Sequence, residues 1–209
     1  MIKRITPITL RQLKESYQMN LPTESLKRDM TAWRHDIHKF PELGFNEIRT
    51  SKLVASLLSS FGLKVYRKFG KTAVVAHLEK NKSKKLMAIR ADMDALPINE
   101  ETSLQYQSLN KGVMHACGHD GHTATLLGAA KFLSEDKYFD GNILFIFQPD
   151  EENGGGAQAM IKNGLFKQFD ISEIYALHNM PGMPVGCFAT CENTITASES
   201  SFEIKIKSK

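Results

Sequence analysis

Cysteine is scarce in this chain: Cys117, Cys187 and Cys191 are the only three in 209 residues, an odd number. So sparse a set excludes a disulfide framework and implies a reducing compartment, with the cytoplasm as the expected location. No Cys-x-x-Cys pair occurs, which leaves thiol redox chemistry at Cys117 without a resolving partner. No apolar run approaches the ~20 residues of a membrane-spanning helix. Met1–Leu10, interrupted by Pro7, lacks the apolar centre of a signal peptide. An excess of one charge is missing too. Lysine and arginine total 27 against 23 acids, a balance of +4, and no dense basic stripe invites nucleic acid. Internal repeats and low-complexity segments are absent.

What is present is ordinary for a globular protein: 42% hydrophobic and 24% charged residues. A domain of this size buries roughly 70% of its extended surface, enough for a core. Residues 1–22 are weakly patterned and read as a variable extension. From Thr23, Leu26, Met30, Trp33, Ile37 and Phe40 recur at helical spacing until Pro41. A second amphipathic helix starts near Asn46, turns Val54, Leu57, Leu58 and Phe61 inward, and closes at Gly62. Strand-like runs follow at 64–69, 73–78 and 86–90, with a charged turn at 79–85. A helix is expected from His119–Thr123 through Leu133, then a central strand at Ile143–Phe147, too apolar for an edge. A short helix at 157–162 ends at Gly164, and 174–177 reads as another short buried strand. The alternation predicts an α/β fold, a central mixed sheet with helices on both faces. Phe202–Lys207 alternates with period two, as a half-buried strand does, and the sequence stops three residues after Ile206.

Three segments carry the chemistry: Met114–His122, Asp150-Glu151-Glu152 and His178. A thiol, imidazoles and adjacent carboxylates are the ligand vocabulary of zinc- or manganese-class ions, and an open metal position beside a spare carboxylate activates water for hydrolysis. Cys117 and His119, two apart in a turn, can face one ion together; the blander alternative is a buried thiol beside a capping histidine. Glu151-Glu152 leaves the end of the central strand, so one carboxylate can bind metal while its neighbour stays free to carry a proton. Gly154-Gly155-Gly156 permits a tight turn but is no phosphate loop, since no Gly-Lys-Ser/Thr follows. His178 supplies a third strand tip. His115 and His122 are second choices as ligands and fit better as groups that orient the others. Asp92 and Asp94 end a strand and could buttress a ligating imidazole or merely terminate the strand. His35, His38 and His77 receive no role, and Cys187 and Cys191 read as small core residues.

Trp33–Leu43, Arg90–Pro97, His115–His122, Gln148–Glu152 and Leu177–Gly182 together resemble the metal-dependent aminoacylase and carboxypeptidase superfamily, in the branch of hippurate hydrolases and indoleacetyl-amino-acid hydrolases. The match runs colinearly over about residues 27–207. The resemblance implies a zinc-exopeptidase-like catalytic domain with two divalent ions, zinc or manganese. Cys117, His119, Glu152 and His178 would be ligands and Glu151 the general base and acid. The implied reaction hydrolyses the amide of an N-acyl amino acid, a small-molecule substrate.

Members of that superfamily are longer. They continue into a lid and dimerisation domain and then return to the catalytic domain with a late histidine ligand. The expected layout is therefore an extension at 1–22, the N-terminal portion of the catalytic domain at 23–197, and the first strand of a missing lid at 198–209. The chain alone is expected to show little or no turnover. A metal-binding remnant or one subunit of a split enzyme is the alternative reading.

Overall fold

The computed structural model describes residues 8–9, 22–80, 85–190, 194–195, 200 and 202–207. It divides into two units, Pro22–Asn179 and a second made of Met1–Leu21 with Met180–Lys209. In the second, β1 (Ile8–Thr9) pairs antiparallel with β7 (Cys187–Phe188). Cys191 and most of the turn at 79–85 lie outside the described residues, as does nearly all of the extension.

Within Pro22–Asn179 the elements are α1 (Glu24–Lys39), α2 (Ile48–Ser60), β2 (Lys64–Tyr66), β3 (Val74–Glu79), β4 (Leu86–Asp92), α3 (His119–Glu135), β5 (Asn142–Gln148), α4 (Gly156–Lys162), α5 (Leu165–Gln168) and β6 (Ile171–Ala176). The Thr23 hydroxyl caps α1 by accepting Leu26 N–H at 3.1 Å. Helix α2 is capped from a distance: the Glu42 carboxylate accepts Arg49 N–H at 2.9 Å and Thr50 N–H at 2.8 Å. Gly62, at φ 81°, ends that helix as expected.

The sheet runs in the order β2-β3-β5-β4-β6, with β4 parallel to both β5 and β6 and the other pairings antiparallel. It is the mixed sheet expected. β5 is its central strand, and its alternation serves two cores. Ile143, Phe145 and Phe147 face α2 and α3 with Val54, Leu58, Leu126 and Leu127. Leu144 and Ile146 face the opposite side with Met160 of α4 and Leu165 of α5. A strand buried on both faces reads as a continuous apolar run for this reason.

Two expectations fail. The run at 174–177 is not a buried strand: β6 spans Ile171–Ala176 at the sheet edge, and Ile174 and Tyr175 are 46% and 54% exposed. Its only sheet neighbour is β4, and apolar composition does not report what covers a strand. Residues 202–207 form no strand, and Phe202, Ile204 and Ile206 are exposed. Period-two alternation needs a partner for its backbone groups, and none pairs with it among the described residues. None of the described helices is long and apolar enough to cross a membrane.

Helix α1 packs on α3 through a buried charge cluster. Both ring nitrogens of His38 face carboxylates, Nδ1 to Asp120 at 2.9 Å and Nε2 to Glu100 at 3.1 Å, and Arg34 Nε adds to Asp120 at 3.1 Å. The Asp120 hydrogen bond raises the His38 pKa above its ordinary 6.5, against the opposing effect of burial. The stability His38 contributes is therefore complete below 6.5 and lost as pH rises through its higher folded-state value. His38→Ala should destabilise by about 1–3 kcal/mol at mildly acid pH, and the gap from the parent, measured by urea unfolding, should narrow as pH rises.

Candidate metal centre

The carboxyl ends of β4, β5 and β6, mutually parallel through β4, point to one end of the sheet, where open α/β sheets place their sites. The crossover after β4 carries α3 on one face, and that after β5 carries α4 and α5 on the other, so the strand connections diverge there. Asp92 and Asp94 come from the first tip, Glu151 and Glu152 from the second, and His178 from the third.

His119 opens α3 behind Gly118, whose φ of 89° is left-handed backbone that favours glycine. A side chain there would also strike Asn179. The His119 Nδ1–H donates to the Asp94 carbonyl at 2.9 Å and approaches Asp94 Oδ1 at 3.2 Å. That fixes the proton on Nδ1 and leaves Nε2 as a bare lone pair. Among the described residues Nε2 is buried without a hydrogen-bond partner, as is Glu152 Oε1, 3.7 Å away. Asp92 Oδ2 lies 3.7 Å and Glu151 Oε2 3.9 Å from the same nitrogen. Cys117 Sγ sits 3.6 Å from His178 Nε2. Three donor sets among the described residues meet at His119, one with Cys117 and His178, one with Glu151 and Glu152 and one with Asp92 and His122, each with its atoms within 4.8 Å of one another.

Two orphaned buried acceptors facing each other make a poor hydrogen-bonding arrangement and a good cation site. A thiol, imidazoles and carboxylates suit zinc or manganese. The electrostatics agree. Burial and the Glu152 carboxylate push the Cys117 thiol up to about 12, and burial raises Glu152 as well. Burial opposes a charge on His119, but the Asp94 hydrogen bond and neighbouring carboxylates outweigh it and raise its pKa. A divalent ion would reverse this balance by favouring the thiolate.

All five residues singled out from sequence thus come together, Cys117, His119, Glu151, Glu152 and His178. The two glutamates differ in exposure: the Glu151 side chain is 41% exposed, that of Glu152 21%. Asp94 does more than buttress His119, because its Oδ2 also accepts the Glu152 N–H at 3.0 Å. His115 is buried with neither ring nitrogen partnered among the described residues, and burial lowers its pKa to about 4.

Sequence reading missed Glu47. This fully buried carboxylate, raised in pKa by burial, accepts the Thr72 hydroxyl at 2.6 Å and Asp150 N–H at 2.9 Å. It holds Asp150 in left-handed backbone, φ 49°, immediately before the glutamate pair. Nothing in the local pattern around Asn46-Glu47 distinguishes it from a helix-start acid.

The chain is similar to several known proteins. The sequence pattern of peptidase family M20/M25/M40 matches residues 88–207. A hippurate hydrolase from Campylobacter jejuni is 48% identical over 190 residues, 90% of this chain and 49% of that protein. Thermostable carboxypeptidase 1 of Saccharolobus solfataricus is 44% identical over 197 residues, 89% of this chain and 50% of that protein. The crystal structure of the Bacillus subtilis YXEP protein, described as a dinuclear metal binding peptidase from the M20 family, aligns with a TM-score of 0.74 and 37% identity. It covers 78% of this chain and 46% of its own. The chain therefore spans about half the length of the relatives it matches.

Two outcomes follow. Asp94→Asn should weaken zinc binding by about 10–100-fold, read by chelator competition, because the partner of His119 is altered. In metal-free protein, Cys117 alkylation followed by mass spectrometry should keep accelerating above pH 9.0, the ordinary thiol value, and a plateau near it would contradict the raised pKa.

Proposed function

The chain belongs to peptidase family M20/M25/M40, and from that premise we propose that it carries the metal site of an amidohydrolase acting on N-acyl amino acids. The observation that supports this best is the facing pair of buried, unpartnered acceptors, His119 Nε2 and Glu152 Oε1, with the exposed Glu151 beside them. The name of the hippurate hydrolase relative points to benzoylglycine-like amides. The carboxypeptidase relative fits the same linkage, an acyl group joined to a terminal amino acid.

In this reading Cys117, His119, Glu152 and His178 hold two divalent ions, zinc or manganese. The ions would supply Lewis-acid polarisation of the amide carbonyl and lower the pKa of the attacking water. Asp94 fixes the His119 tautomer and the Glu152 backbone, so two ligands stay in register. Glu151 accepts the proton of the attacking water and delivers it to the departing amine nitrogen. Water's hydroxyl ends on the acyl carbon and its proton on nitrogen, giving a carboxylic acid and a free amino acid. The dependence on a free thiol suits a reducing compartment, the cytoplasm.

The test is release of glycine from N-benzoylglycine with manganese or zinc. It is run on the chain alone and on the chain mixed with a polypeptide covering the remaining half of the Campylobacter jejuni relative. Turnover is expected in the mixture, and Glu151→Gln should lower it by about 10²–10⁴-fold while metal content is unchanged. Undiminished turnover in that variant would contradict the assignment.

A further inference from the structure

His178 is the least supported of the four proposed ligands. Its strand leaves the sheet at Ala176, and His178 itself is exposed. Within Pro22–Asn179, the hydrogen bonds that tie this tip down run chiefly through Asn179. The Asn179 N–H lies 3.1 Å from His122 Nε2, and the Asn179 side-chain oxygen lies against the same nitrogen and over Gly118. The Asn179 carbonyl in turn accepts from His178 Nδ1 at 2.7 Å, which turns His178 Nε2 toward Cys117.

His122 stands on α3 just after His119, 8% exposed. Its Nδ1 is 2.7 Å from Asp92 Oδ1. A carboxylate only accepts, so Nδ1 carries a proton, and Nε2 meets Asn179 through both its backbone N–H and its side-chain oxygen. Asp92 is held in turn by Arg90 Nη1 at 2.7 Å. His122 also belongs to a possible ligand trio with Asp92 and His119. The two imidazoles differ, however. His119 keeps an unpartnered Nε2, whereas both nitrogens of His122 are engaged.

We infer that His122 is a positioning residue: through Asn179 it holds the strand tip that presents His178 to Cys117, with its own ring held in place by Asp92. This rests on the reading of His178 as a metal ligand and adds the device that keeps it in place.

A double-mutant cycle on zinc affinity, measured by competition with a chromophoric chelator, tests it. His178→Ala should weaken binding, and His122→Ala should weaken it by about 10–100-fold. The double variant should bind about as weakly as His178→Ala alone, because His122 acts only through His178. His122→Gln keeps a side-chain oxygen for the Asn179 N–H and should recover part of the loss. If His122→Ala does not fold, His122→Gln with and without His178→Ala runs the same cycle. Additive losses would make His122 an independent ligand or a general structural residue and overturn the inference, as would unchanged affinity in His122→Ala. Unchanged affinity in His178→Ala would instead remove the ligand reading, and the inference with it.

Discussion

A single lone pair organises this molecule's chemistry. His119 Nε2 is buried, faces carboxylate oxygens of Asp92, Glu151 and Glu152, and has no proton donor. An unsatisfied buried acceptor costs about 1–3 kcal/mol, and like-charged carboxylates nearby add to that cost. Hydrophobic packing does not require such an arrangement. A cation relieves it, since one positive ion satisfies the nitrogen and the carboxylates at once.

The fold delivers those groups by simple means. Strand β5, buried on both faces, fixes where its tip emerges, and the Asp150 N–H is held by the buried Glu47 carboxylate just before Glu151 and Glu152, which both reach His119. Asp94, at the neighbouring tip, binds both His119 and the Glu152 backbone. Rigid strands meeting at one sheet end hold a ligand set more closely than loops could. The third tip, carrying His178, lacks that rigidity because β6 is an exposed edge.

The parts legible in the sequence were those written in local pattern. The apolar run Ile143–Phe147 announced the central strand, and Cys117-Gly118-His119 at a helix start offered a thiol and an imidazole that the fold brings beside His178. Burial of β6 was misread, since hydropathy records a residue's preference and not whether a neighbour meets it. The bonds of His38 to Asp120 and Glu100 span 82 and 62 residues, so no local window contains them. Glu47 escaped notice for the same reason: its partners Thr72 and Asp150 are distant in sequence.

The central claim is that sulfur, imidazole and carboxylate share a cation around His119. X-ray absorption at the zinc edge of the zinc-loaded protein tests it most directly. The account predicts a shell containing one sulfur at about 2.3 Å among nitrogen and oxygen ligands at about 2.0–2.2 Å, with the sulfur lost in Cys117→Ser. A shell of nitrogen and oxygen alone in the unaltered protein would contradict it.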